Sequence, residues 1–230
     1  MATLPLPSAL AGVFIADERE QSASSSLLFD KGMRYLEDNK CLEKNKEFLE
    51  RFIEQMSRAD AQLAKHYEAF LERRQDTLSR TCRACQADLT TDQRLVIGLG
   101  LPHSTDTGLL LDRTTGVAYI PGSSLKGMLR AAAALADNGE FPEEQIDKSA
   151  RDFWRANLER LFGLQSGTGE MIFYDAFPAE WSDLELDVMT PHYGKYYMEK
   201  SVIPGDWFNP IPVPFLAVKA GTTFRFWFKG

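Results

Sequence analysis

Tyr119-Ile-Pro-Gly-Ser-Ser-Leu-Lys-Gly-Met-Leu-Arg130 turns an apolar, strand-like run into a helix within four residues. Pro121-Gly122-Ser123-Ser124 has the residue types of a turn followed by a helix N-cap, and either serine can supply the cap. Leu125 to Ala136 is then alanine-rich and reads as helix. The free N–H groups of a first helical turn, together with the helix dipole, favour an anion there. Gly122 and Gly127 leave room for a ligand's backbone, Lys126 stands in the first turn, and Arg130 follows four residues later on the same face. Between Arg113 and Ala136 there are three basic residues and no acidic one, whereas residues 137–190 carry a net charge of −9. The acid-free window thus coincides with an anion-binding geometry. The plainer reading is an ordinary capped helix with two solvated cations.

Outward from this stretch the punctuation is uneven. No glycine occurs between Gly32 and Gly98, and no proline between Pro7 and Pro102, which favours helix across the gap. Leu49, Phe52, Ile53 and Met56 fall at i, i+3, i+4 and i+7, and Leu63, Tyr67, Phe70 and Leu71 continue an apolar stripe. One or two amphipathic helices are expected from about Asp30 to Ser79, with Ser22 to Ser26 as a flexible lead-in. From Arg94 the texture changes. Leu95 to Gly100 reads as a buried strand, Gly108–Leu111 and Val117–Ile120 as a hairpin around Asp112–Gly116, and Glu170–Phe177 as a further strand. A second helix is expected from Lys148 to Phe162. Pro178 to Pro212 reads as a long loop, and Val213–Val218 with Thr222–Phe228 as a closing hairpin around Ala220-Gly221. The order is that of an α+β sandwich, ferredoxin-like (RRM-like) in outline, over residues 91–230, preceded by a helical region over 1–90.

A chain of 230 residues is long enough to build its core without disulfides. Its net charge of −7 disfavours a protein that coats nucleic acid through a generally basic surface, so a polyanion must be held by a local patch. Three cysteines, Cys41, Cys82 and Cys85, are too sparse and odd for a secreted scaffold. The apolar start lacks a basic n-region, and no uncharged apolar run approaches the ~18 residues of a membrane span. These features point to a cytoplasmic chain with no membrane partner.

The stretch Ile120-Pro-Gly-Ser-Ser-Leu-Lys-Gly-Met-Leu-Arg130 resembles the hallmark motif of the RAMP superfamily, the repeat-associated proteins of CRISPR effector complexes. Leu95-Val-Ile-Gly-Leu-Gly100 is similar to that family's first strand. Leu161-Phe-Gly163, Gly169-Glu-Met-Ile-Phe-Tyr-Asp-Ala-Phe-Pro178, Asp187-Val-Met-Thr-Pro-His-Tyr193 and Pro214-Phe-Leu-Ala-Val218 follow in order. Together they resemble the subunit-six family of the type III-B Cmr complex over roughly residues 90–228. The resemblance implies a non-catalytic component of a crRNA-guided antiviral assembly, near the 3′ part of the guide, with crRNA, target RNA and other Cmr subunits as partners and no cofactor. RNA would be held by backbone and shape while base pairing selects sequence. RAMP proteins usually end with a further helix, a glycine-rich loop and a last strand, and here the chain stops at Gly230, straight after the expected hairpin. The sheet is then incomplete, the sequence a fragment, or the missing edge supplied by a partner.

The residues expected to meet RNA are Gly122, Ser123, Ser124, Lys126, Gly127 and Arg130, with His192 and Tyr193. The last two, near Tyr196 and Tyr197, can stack on bases or equally pack the long loop. The alternative function is a RAMP endoribonuclease cleaving guide or target RNA, with His103 as a general base, Asp106 as a metal ligand and Asp112 in the same region. No partnered acid/base set surrounds them, so no catalytic residue is assigned. Cys82-Arg-Ala-Cys85 is a lone pair whose nearest extras, Cys41 and His66, lack finger-like spacing, so no metal site is assigned either.

Overall fold

The computed structural model describes residues 2–3, 25–32, 35–36, 44–57, 61–138, 147–164, 166–192, 194–199, 203 and 207–230. In chain order the elements are β1 (Ala2–Thr3), α1 (Ser25–Lys31), β2 (Tyr35–Leu36), α2 (Asn45–Ser57), α3 (Ala61–Asp76), a π-helical turn (Thr77–Thr81) and β3 (Cys85–Thr90). Next come α4 (Gly122–Asp137), α5 (Lys148–Phe162), β4 (Gly163–Leu164), β5 (Gly167–Thr168), β6 (Ile172–Phe173) and β7 (Phe177–Pro178). β8 (Leu184–Met189), α6 (Gly194–Met198), β9 (Val213–Val218) and β10 (Thr223–Lys229) complete the order. Helices and antiparallel strands are mixed, an α+β arrangement.

The chain forms two compact units, each assembled from three separate segments: 1–67, 91–118 and 181–222 in the first, and 68–90, 119–180 and 223–230 in the second. The sequence boundary near residue 90 rests on composition, whereas these units follow contacts. In the first unit α2 packs on the antiparallel pair β8–β9, which runs in register from Leu184↔Val218 to Met189↔Val213. The stripe on α2 is Phe48, Leu49, Phe52 and Met56, all buried, while Ile53 sits at its half-buried margin. Phe29 of α1 closes on Phe52 at 5.3 Å between ring centroids. In the second unit β10 lies at the centre of a four-stranded sheet, with β3 along one side and β6 and β7 along the other. α4 packs on α5 and on β6. Asp147 caps α5, its Oδ1 accepting the Ala150 N–H at 2.7 Å.

Several expected strands take other forms. Leu95–Gly100 contributes one bridge, Leu95↔Val218, and then turns, because Gly98 adopts φ +79° and its carbonyl accepts the Leu101 N–H. Around Asp112–Gly116 the turn is present, with Asp112 Oδ2 accepting both the Thr114 and Thr115 N–H groups, but only Leu111↔Ala118 pairs beyond it. Glu170–Phe177 divides into β6 and β7. The expected loop at 178–212 contains β8 and α6 instead. The closing hairpin does not form: Val213–Val218 pairs with β8, Thr223–Lys229 pairs with β3, and the two runs belong to different units. Alternation marks a strand but does not name its partner. The consequence is that the Phe224–Phe228 strand is central, and its edges are covered rather than bare.

Candidate nucleic-acid interface

Local rules set the start of α4. Pro121, extended at φ −61° and ψ 140°, is the N-cap, and no side chain caps the helix. Ser123 and Ser124 are therefore not caps. They lie inside the first turn, exposed, and their amides have no intrahelical acceptor. Gly122 is not open to a ligand either: it is buried, and a Cβ there would run into the Phe173 carbonyl of β6. At Gly127, by contrast, a Cβ would meet nothing within 4 Å, so that position stays approachable.

The structure adds an acid that the sequence window conceals. Asp175, between β6 and β7, accepts the Gly122 N–H on Oδ1 at 2.8 Å. Its own carbonyl accepts from Arg74 Nη2 at 2.6 Å, and the Arg74 guanidinium lies 4.8 Å from the Phe177 ring centroid. A carboxylate thus already meets the positive end of the helix, and an incoming phosphate has to share that end with it. The attraction falls to the cations one turn further on. Lys126 is half-buried and Arg130 exposed, and among the described residues neither forms an ion pair or side-chain hydrogen bond. Nothing in the sequence around 175 signals this contact, because it joins residues 53 apart.

In the other unit His192 is half-buried, with Nδ1 3.1 Å from the Phe208 carbonyl oxygen. It lines a cavity of about 250 Å³ with Gly194, Trp207, Phe208, Asn209 and Ile211. Tyr193 lies outside the described residues. Tyr196 and Tyr197 contact each other edge-on at 5.4 Å and are exposed, as is Trp207. His192 and the α4 terminus fall in different units, and each stands as a separate candidate.

His103 is engaged on both sides. It stacks on Phe29 at 4.0 Å with an interplanar angle of 10°. Nε2 lies 2.8 Å from the Phe29 carbonyl oxygen, and Nδ1 lies 2.7 Å from Thr105 Oγ1. An Nε2–H tautomer donates to that carbonyl and leaves Nδ1 to accept. Burial holds its pKa below the ordinary imidazole value, against the opposing pull of the Phe29 carbonyl. Asp106, at φ +65°, accepts from Asn45 Nδ2 at 3.2 Å, and Asp112 serves its own turn. Cys82 and Cys85 are unbridged, and the Cys82 side chain hydrogen-bonds Tyr174, which raises the phenol's pKa. Cys41 lies outside the described residues. Among the described residues no group of three or more His, Cys, Asp or Glu could hold a metal, and no helix is long and apolar enough to cross a membrane.

Residues 88–227 match the RAMP superfamily, and the chain belongs to it. Two relatives within that superfamily are subunits of one kind. The chain is 33% identical to the CRISPR system Cmr subunit Cmr6 of Pyrococcus furiosus, over 70% of this chain and 62% of that protein. It is 24% identical to the Cmr6 subunit of Saccharolobus solfataricus, over 94% of this chain and 71% of that one. The chain therefore spans 62% of the length of the Pyrococcus relative. Among solved structures it resembles a chain of the Type III-B Cmr-beta complex bound to cognate target RNA, with a TM-score of 0.50 and 21% identity, covering 81% of this chain and 62% of that one. At that identity the likeness shows the fold.

Proposed function

We propose that this chain is a non-catalytic, RNA-binding structural subunit of a crRNA-guided type III-B Cmr effector complex, working in the cytoplasm near the 3′ end of the guide. The observation that carries the reading is the RAMP-matching helix α4, where Lys126 and Arg130 form a cationic face one turn apart with no acid paired to either among the described residues. Ser123, Ser124 and Gly127 border that face, and Gly122 holds the helix on β6. The similarity to two Cmr6 subunits supports Cmr proteins, crRNA and target RNA as partners. A ferredoxin-like RAMP domain is supported by β3, the helices α4 and α5, and then β6/β7 and β10 in one antiparallel sheet with β10 central. His192, with Tyr193 next to it in sequence, is proposed as a second, separate RNA contact. His103 has both ring nitrogens engaged, which favours a structural role over a general base.

The test is a reconstituted Cmr assembly with guide RNA, assayed by gel shift and by cleavage of labelled RNA with and without divalent metal. The expected result is retention of RNA binding, with cleavage rates unchanged when His103, Asp106 or Asp112 is replaced. Turnover that disappears with His103→Ala or Asp106→Ala would mean an endoribonuclease instead.

A further inference from the structure

Beside α1 the first unit holds a cavity of about 240 Å³, bordered by Ser26, Asp30 and Arg113 and walled by Phe29, Pro102 and Leu109. Ser26 and Asp30 stand four residues apart, on one face of the helix. Ser26 is 6% exposed, and its hydroxyl forms no hydrogen bond among the described residues. A buried hydroxyl without a partner costs free energy unless a ligand or water meets it. Asp30 and Arg113 are exposed, and among the described residues neither enters an ion pair, not even with the other.

His103 also borders the cavity, with its ring stacked on Phe29 and both nitrogens already engaged. It therefore supplies a wall and no free hydrogen-bonding group. Behind burial and the Phe29 carbonyl, the charge of Asp30 acts on the His103 pKa and raises it, which sets the carboxylate on the cavity side of α1. The groups around the apolar walls are thus a carboxylate with two acceptor oxygens, a hydroxyl able to donate or accept, and a guanidinium. The volume is below the roughly 300–1,000 Å³ of pockets for drug-sized ligands, and suits one flat ring system.

We propose that this cavity binds a guanine base, with Asp30 accepting its N1–H and exocyclic amino group together, Ser26 completing the base contacts and Arg113 meeting the phosphate outside. A carboxylate takes two parallel N–H groups, as it does from arginine, and among the RNA bases guanine alone presents two such donors side by side. Adenine, cytosine and uracil each set a donor beside a ring nitrogen or carbonyl acceptor on that edge, and the acceptor would face a carboxylate oxygen of like polarity. The guanine can come from a free nucleotide or from an unpaired guanosine of RNA, whose splayed bases proteins read by their edges. The assignment is independent of the α4 reading, since it uses other residues in the other unit.

The experiment is calorimetric titration of the whole chain with guanosine, its 5′-monophosphate, inosine and adenosine, with the imidazole signals of His103 followed by NMR. Guanosine is expected to bind and to move the His103 signals. Inosine, which lacks the exocyclic amino group, should bind about tenfold or more weakly, and adenosine no better. Asp30→Asn replaces one acceptor with a donor, so it should cost a similar factor and erase the preference for guanosine over inosine. Arg113→Ala should weaken the monophosphate and leave guanosine unchanged. Short single-stranded RNAs with and without a guanosine, added as competitors, separate the sources. Displacement by the guanosine-containing strand alone assigns the site to RNA, no displacement assigns it to free nucleotide, and displacement by both strands alike counts against guanine. No binding of guanosine, equal affinity for inosine, or affinity kept in an Asp30→Asn variant with native circular dichroism would overturn the proposal. So would binding that leaves the His103 signals in place, since it would lie elsewhere. Lys126→Ala and Arg130→Ala should leave guanosine binding unchanged, so this site and the α4 interface stand or fall separately.

Discussion

Two glycines five residues apart in one helix should respond to the same substitution with opposite signs. In Gly122→Ala the new methyl meets the Phe173 carbonyl and the Tyr174 backbone, and no flexible side chain is there to swing aside. Either the helix start or β6 must shift. Overpacking of this kind costs roughly 1–3 kcal/mol, more than the roughly 0.5–1 kcal/mol that alanine gains over glycine in a helix. In Gly127→Ala the methyl enters open space, so the helix-propensity gain of about 0.5–1 kcal/mol stands alone. For a chain of this size 1 kcal/mol corresponds to about 2–4 °C in melting temperature. Thermal unfolding followed by circular dichroism should show a fall of several degrees for Gly122→Ala and a rise of about 1–4 °C for Gly127→Ala. Two equal shifts, or a neutral Gly122→Ala, would refute the packing of α4 on β6. If RNA approaches α4 at Gly127, that variant should also bind RNA more weakly while melting higher, a separation that global unfolding cannot mimic.

Asp175→Asn keeps an acceptor for the Gly122 N–H but removes the competing charge from the helix terminus. RNA affinity should rise about two- to fivefold, the range of about 0.3–1 kcal/mol for a charge at a helix end, and unchanged or lower affinity in filter binding would count against a phosphate at α4. His103 titrates below the ordinary imidazole pKa in the folded chain and near 6.5 when unfolded. Between those values the unfolded state binds more protons, so stability is full above about pH 6.5 and is lost as pH falls toward the folded value. Urea melts at stepped pH check this; stability that stays flat or rises on acidification, or a slope kept in His103→Phe, would contradict it.

The local features were readable because local rules control them. The breaker-free gap marks α2 and α3, the turn and the alanine run mark α4, and Lys148 to Phe162 is helical as its pattern predicts. What escaped was pairing. β9 and β10 are joined by a glycine turn and look like a hairpin, yet each finds its neighbour elsewhere, and a strand's own pattern carries no record of that choice. β8 was hidden because Glu185 and Asp187 give it the polarity of a loop, and Arg94 meets both acids in the fold, at 2.7 and 3.2 Å. At the candidate site, Lys126, Gly127 and Arg130 were legible from spacing. The Asp175 carboxylate and the buried packing of Gly122 were not, since both depend on a strand some fifty residues away.

Whether α4 holds RNA through phosphates, as proposed, is decided by a salt titration. Phosphate contacts carry no sequence information, and each one neutralised contributes about 0.7 to the slope of log K against log salt for single strands. With a net charge of −7 there is no general basic surface to mask the loss of one contact. Affinity for two unrelated single-stranded RNAs should be measured across salt for the unaltered chain, Lys126→Ala and Arg130→Ala. Each variant is expected to lose affinity alike for both RNAs, and each slope to fall by about 0.7. Slopes unchanged in both variants would contradict that expectation, and would mean that the Lys126–Arg130 face is only a solvated side of the helix.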